Sequence, residues 1–356
     1  MPGTVPELRV LFASSYSKLG DPSHVGVRRY RILERTGDLV DDGVFGDRGY
    51  SFLAWERSRR LLVATSGGVG SGALTSFAAG SSGIPLALGT QPTGGEEPCH
   101  VSVTNDGRHV LVANYASGSI SALPLDAAGA PQMPSGVVRH VGEGPDPLRQ
   151  ARAHIHMVYV DPFSSIVVAA DLGADELKSY RVDGTGRLHP LWTVSAPRGS
   201  GPRHVVAVEG GCLAVTDELS STVSSYSLDR SSGRLSLVDC QPASLTSPAG
   251  TRNYPSEIVT TSDRRTVYVA NRGLDVVTVF AADSGRLSPL ADWPCGGEWP
   301  RHMTLIGADL YIANQRSDSV TRIRTGNGRQ LLARARTVAR IPSPVCLLSP
   351  RSGDQL

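Results

Sequence analysis

The sequence predicts an all-β chain folded as a seven-bladed β-propeller, with four antiparallel strands per blade, and three observations predict it. First, seven short apolar runs end alike, at residues 10–15, 61–66, 110–115, 166–171, 212–217, 267–272 and 310–315, in steps of 43 to 56 residues. A period near 50 built from short strands is the pattern of a propeller in which each repeat is one blade. Second, the punctuation between strands repeats. In the clearest unit, residues 98–103 lead through Asn105-Asp106-Gly107-Arg108 to residues 109–115, then through Ala116-Ser117-Gly118-Ser119 to residues 120–125. Glycine at such turns supplies the positive φ that a hairpin needs, so the unit reads as a meander. Third, the N-terminal copy lacks a first strand, while residues 344–349 form an orphan strand that matches first strands elsewhere. The N- and C-terminal strands are therefore expected to share one blade, which closes the ring and hides its open edges.

Composition narrows the function. An unbroken repeat over 356 residues argues for a single domain spanning 1–356. A formal charge of +2 supplies no strongly basic face, so no nucleic-acid partner is expected. Lys18 and Lys178 are the only lysines, so arginine carries nearly all the positive charge, as GC-rich coding favours. Five scattered cysteines without a CxxC pair read as buried reduced thiols and a cytoplasmic location. Residues 1–11 lack a basic segment followed by a long apolar one, and no run of 18 apolar residues occurs, so neither secretion nor membrane insertion is expected. Oligomeric state is not legible.

The repeat also places polar residues. In a propeller the first strand of each blade lines the central channel and the second returns antiparallel, so the start of one and the end of the other meet on one face. Counting back from the run ends, His100, His156 and Glu257 lie 15 residues earlier, and His204 and His302 lie 13 earlier. The run ends supply Tyr115, Asp171, Asp217 with Glu218, Asn271 with Arg272, and Asn314 with Gln315, while Arg203 and Arg301 precede two of the histidines. All are expected at one mouth of the channel. A lone histidine in such a place is commonly satisfied by backbone, but charged groups gathered there imply a wet site where charge is wanted. The turns 105–107, 161–164 and 263–264, on the opposite face, read as ordinary turn chemistry.

Several phrases carry a family resemblance: Arg149-Gln150-Ala151-Arg152-Ala153-His154-Ile155-His156, Ala170-Asp171-Leu172-Gly173-Ala174-Asp175, Gly201-Pro202-Arg203-His204, Asp217-Glu218-Leu219-Ser220-Ser221-Thr222-Val223, Ala270-Asn271-Arg272-Gly273 and Pro300-Arg301-His302. On these the chain resembles, from residue 10 to 350, the lactonase family of seven-bladed β-propellers. That family includes propeller-type 6-phosphogluconolactonases and 3-carboxy-cis,cis-muconate lactonizing enzyme. The resemblance implies His156, Arg203, Glu218 and Arg272 as catalytic residues. Around them, His100, Tyr115, Asp171, His204, Glu257, Arg301, His302 and Gln315 are the expected substrate-binding residues. The chain departs from the family at Ala153, where a proline is usual, at Met157, where a serine is, and at Thr65-Ser66-Gly67-Gly68, where relatives carry Asn-Glu. The second blade's edge of the pocket is thus altered.

Lactone hydrolysis needs a base to activate water, donors for the developing oxyanion and a cation to anchor an acidic substituent. Either Glu218 or His156 can be the base; Arg203 and Arg272 can hold the oxyanion and clamp a carboxylate or phosphate. Arg149, Arg152, Arg252 and Arg301 raise the local positive potential. The expected activity is metal-independent hydrolysis of an anionic, phosphorylated or carboxylated lactone, with no cofactor. Two alternatives stand beside it: a cycloisomerase that adds a carboxylate to an alkene, for which the same four residues are suited, and a non-catalytic ligand-binding propeller, which the altered second blade motivates. His154 and His156 suit a cation, but Arg203 and Arg272 would repel one. Residues 67–72 read as a blade turn rather than a phosphate loop.

Overall fold

The computed structural model describes residues 9–15, 26–78, 83–246 and 248–350; Lys18 and most of the 1–11 segment lie outside them. Seven four-stranded antiparallel sheets follow one another around an axis, and the sole helix among the described residues is the 3-10 turn Glu209–Gly211. Blades 2 to 7 occupy residues 52–92, 98–139, 155–195, 202–242, 254–294 and 300–340, each running from the axis outward. Blade 1 is composite. Its inner strand, Pro344–Leu348, pairs antiparallel with Val10–Ser15, followed outward by Val27–Ile32 and Leu39–Phe45. The ring is closed by joining the two ends, as the orphan strand implied.

Second strands such as Ile166–Asp171 and Cys212–Asp217 are buried at every position. They read as unbroken apolar runs because each has a neighbouring blade on both faces. Between blades 4 and 5, Tyr159, Val168 and Ala170 pack against Val205, Val215 and Tyr226, and similar clusters fill the other wedges. Each buried Val or Leu contributes roughly 1.5–3 kcal/mol relative to exposure. Polar ties repeat alongside. Third-strand Ser76, Ser179 and Ser225 donate to the carbonyls of Gly129, Gly233 and Gly285 in the next blade's outer turn. Outer strands alternate or are exposed, and Gln330–Arg340 carries arginines along its free edge, a device that discourages edge-to-edge pairing.

All five cysteines are free thiols, but Cys240 is exposed and Cys99 half-buried, so the expectation of uniformly buried thiols fails at those two. Cys240 lies on an outer strand, where alternate side chains face solvent. Among the described residues, no helix is long and apolar enough to cross a membrane.

Candidate active site at one mouth of the axis

Strand ends at the mouth follow one rule. In four blades a residue at the end of the second strand, Asn114, Asp217, Asn271 or Asn314, turns its side chain into its own blade, and the residue after it belongs to the mouth. Asn114, Asn271 and Asn314 each bond the Ser or Thr seven positions later on the third strand, at Ser121, Thr278 and Thr321. Asp217 does the same with Ser224 and Thr222. The following residues, Tyr115, Glu218 and Gln315, are held by backbone bonds of 2.9–3.0 Å from their N–H to the carbonyls of Glu97, Gly201 and Trp299.

Glu218 is the centre of the mouth. Its carboxylate meets Arg272 Nη2 at 2.6 Å, Arg149 Nη2 at 2.7 Å and Arg203 Nε at 3.1 Å. Burial would raise its pKa, but Arg272, Arg203 and Arg149 together hold it well below the ordinary glutamate value. Arg272 is fixed further by donating from Nε to Tyr254 O at 3.1 Å. Arg203 meets Glu218 at ion-pair distance without hydrogen-bond alignment, and its buried Nη1 has no hydrogen-bond partner. Burial, reinforced by Arg272, lowers the Arg203 pKa to about 9, which leaves it charged at neutral pH. Arg149 NH2 also reaches the Tyr115 hydroxyl, 3.5 Å away.

His156 lies beside this cluster, its ring 5.7 Å from that of Tyr115 and 5.2 Å from that of His204, both edge to face. Its Nδ1 is buried without a partner. Burial first, then Arg203 and His204, hold its pKa well below the usual histidine value, so the ring is neutral. Half-buried Arg301 adds to the positive field on His156 and Arg272. Neighbouring His154 stacks on Tyr115 at 4.4 Å and bonds its carbonyl. Among the described residues, no three His, Cys, Asp or Glu side chains converge as a metal site.

The other expected residues divide into two groups. His100, His204, Glu257 and His302 sit deeper, in one ring around the axis. Glu257 Oε1 is 3.1 Å from His204 Nδ1, and Oε2 is 3.0 Å from His302 Nε2. Phe52, Met157 and Cys346 complete this seven-membered ring at the same strand position, with Phe52 4.4 Å from His100 and Cys346 Sγ 3.6 Å from His302 Nε2. Counting only titratable residues passed over Phe52. Gln315 reaches Ser343 Oγ, 3.4 Å away, toward the closing strand.

Asp171 is a correction. It is fully buried in blade 4, where it pairs with His140 Nδ1 at 2.8 Å and accepts the N–H groups of His154, Gly173 and Ala174. It corresponds to Asn114 and Asp217, and a one-residue offset along a strand sends the side chain to the other face. The mouth position of blade 4 is Leu172.

Two features escaped the sequence reading. Trp299 stands at φ +61°, an unusual conformation for a bulky residue, stabilised by its N–H donating to Asp275 at 2.8 Å. Its ring lies between Arg316, 3.4 Å from the centroid, and Arg272, at 5.6 Å, and beside Tyr254. Its place before Pro300, like Glu97 before Pro98, was the available signal. In blade 2 the mouth position is Gly67, and a Cβ built on adjoining Gly68 would meet nothing within 4 Å. At Gly67 itself a Cβ would meet Ser71 O at 2.6 Å, so the backbone of residues 71–72 closes against it.

Fold and mouth together define an enzyme-type propeller: a closed ring presenting a neutral imidazole and anion-holding guanidiniums at one end of its axis. Residues 10–349 match the model of the family described as lactonase, 7-bladed β-propeller. The chain is 30% identical over 306 residues to a 6-phosphogluconolactonase of Bacillus subtilis, covering 83% of this chain and 86% of that one. A 6-phosphogluconolactonase of Pectobacterium carotovorum is 30% identical over 234 residues, 63% of this chain and 65% of its own. The solved periplasmic gluconolactonase PpgL of Pseudomonas aeruginosa superposes with a TM-score of 0.87 at 27% identity, over 96% of this chain and 99% of that one. The chain belongs to the seven-bladed β-propeller lactonase family, and it is an enzyme of lactone hydrolysis.

Proposed function

We propose that this enzyme hydrolyses an anionic lactone, a phosphorylated or carboxylated sugar lactone such as 6-phosphogluconolactone, at the mouth formed by His156, Arg203, Glu218 and Arg272. The observation that carries the proposal is the grouping of three guanidiniums around one carboxylate, Arg149, Arg203 and Arg272 on Glu218. The surplus positive charge suits a substrate anion, and the unpartnered Arg203 Nη1 is a donor in waiting. Arg272 and Arg203 anchor the anionic substituent and receive the oxyanion as water adds to the carbonyl. Between the two candidate bases, His156 fits better. Glu218 has both oxygens engaged by cations and is a poor proton acceptor, whereas the His156 ring is neutral and its Nδ1 uncommitted. Water loses a proton to His156, the carbonyl carbon gains the hydroxide oxygen, the ring C–O bond breaks, and the departing alkoxide takes the proton of the new carboxyl group, leaving a hydroxy carboxylate and the water-derived proton on His156. No metal is needed in this scheme, because the guanidiniums carry the positive charge.

The test is a rate comparison on 6-phosphogluconolactone, neutral gluconolactone and a panel of muconates, with and without exhaustive chelation. Faster turnover of the phosphorylated lactone, unchanged by the chelator and lost in His156→Ala and Arg272→Ala, is expected. Hydrolysis that persists when both residues are replaced would refute the assigned site, and cyclisation of a muconate without lactone hydrolysis would replace the reaction.

A further inference from the structure

Beneath the mouth, the axial ring separates two compartments. Above it stand Glu218 and the arginines. Below it an axial cavity of about 440 Å³, lined by His100, Phe52, Met157, Glu257 and Leu348, extends to the turns around Arg57 and Asn105 on the opposite face. Four ring residues, Phe52, His100, Met157 and Glu257, thus line that cavity.

The bonding within the ring is directional. Leu347 N–H donates to His302 Nδ1 at 3.2 Å, so His302 carries its proton on Nε2, which lies 3.6 Å from Cys346 Sγ and 3.0 Å from Glu257 Oε2, the latter at ion-pair distance without hydrogen-bond alignment. Glu257 Oε1 receives the Ile258 N–H and the Nδ1 proton of His204. His204 is therefore left with a basic Nε2, buried and without a partner. The neighbouring ring of His156, 5.2 Å away, has its own buried, unpartnered Nδ1. Two uncommitted imidazole nitrogens thus belong to adjacent rings, with a carboxylate behind the second.

We propose that His204 and Glu257 form a proton exit that carries the proton released by hydrolysis from His156 through the ring into the axial cavity. This rests on the reading of His156 as the base. Lactone plus water gives a hydroxy acid, which ionises at neutral pH, so each turnover must export one proton. The mouth is a poor exit. Arg149, Arg203, Arg272 and Arg301 surround His156 with positive charge on that side, and the product anion stands there as well. The other direction leads to Glu257, the carboxylate of the ring, whose charge attracts a proton toward His204. A proton passes from His156 Nδ1 to His204 Nε2, the His204 Nδ1 proton moves to Glu257 Oε1, and Glu257 delivers it to the cavity; rotation of the His204 ring restores the starting tautomer. His100, His302 and Cys346 border this route and Arg203 faces it from above.

The experiment compares wild type, Glu257→Gln, His204→Gln and His156→Ala on 6-phosphogluconolactone, with melting temperatures taken in parallel. Folded Glu257→Gln is expected to lose roughly tenfold in kcat with KM unchanged. Added imidazole should restore the rate, and the solvent deuterium isotope effect on kcat should rise as proton export becomes limiting. A folded Glu257→Gln with wild-type kcat, or one slowed without imidazole response or isotope change, would overturn the relay. If Glu257→Gln does not fold, His204→Gln is judged by the same readouts. An active His156→Ala would remove the base assignment and the relay together, whereas an inactive His156→Ala beside an unaffected Glu257→Gln sinks the relay alone.

Discussion

In the proposed mechanism Glu218 and His156 divide the work at the mouth by their surroundings. Three guanidiniums make Glu218 a counter-charge, and the same field keeps His156 unprotonated. Activity on a lactone should therefore stay level as pH falls through the ordinary histidine range near 6.5, with its acid limb at lower pH. A kcat/KM profile with its inflection near 6.5 would contradict that. Replacing Glu218 by Gln leaves like charges facing one another in a buried place, a loss of about 3–5 kcal/mol. Thermal melts should show a lower Tm for this variant and a larger rise on adding inorganic phosphate than wild type shows, because the anion takes the place of the carboxylate.

At the scale of the strand, period two decides which polar residues serve the blade and which serve the axis. Four of the five counted residues, His100, His204, Glu257 and His302, do fall in the ring, because their units repeat at matching distance from a strand end; His156 stands one position nearer the mouth, in register with Arg203, and Met157 takes the ring position of its blade. Asp171 was misplaced because spacing along the chain blurs by one residue among hairpins of different length, and one residue is a whole face. The contact of Arg149 with Glu218 lay beyond sequence reasoning, since it joins a loop to a strand 69 residues away. The blade-facing series also yields a stability prediction. Where three repeats have Asn114, Asn271 and Asn314, two have Asp171 and Asp217; burial raises the pKa of Asp217 to about 7, and its Oδ1 has no partner. With the folded pKa above the unfolded value of 3.8, its favourable contribution is complete below that value and is lost as pH rises through about 7. Asp217→Asn should gain about 1 kcal/mol above pH 7 and little near pH 4, by denaturant melts at the two pH values.

The whole molecule depends on the strand Pro344–Leu348, which completes blade 1 and also supplies Cys346 and the Leu347 N–H to the axial ring. Removing residues 342–356 should expose the edge of Val10–Ser15, lower Tm sharply and make blade 1 the first site of proteolysis. A truncated protein that melts and resists protease like wild type would show that the ring holds without its clasp. The seven-bladed closure was legible because a missing strand at one end matched a surplus strand at the other, whereas the aromatic setting of Arg272 by Trp299 and Tyr254 was not, since neither residue recurs.

That clasp also sets a timetable for biosynthesis. Six blades can form in order as the ribosome extends the chain, but His302 lacks its backbone donor until residue 347 has emerged from the exit tunnel. The proposed catalytic mouth therefore matures only after Pro344–Leu348 has emerged, and a nascent polypeptide stalled before residue 344 should be inert toward lactones.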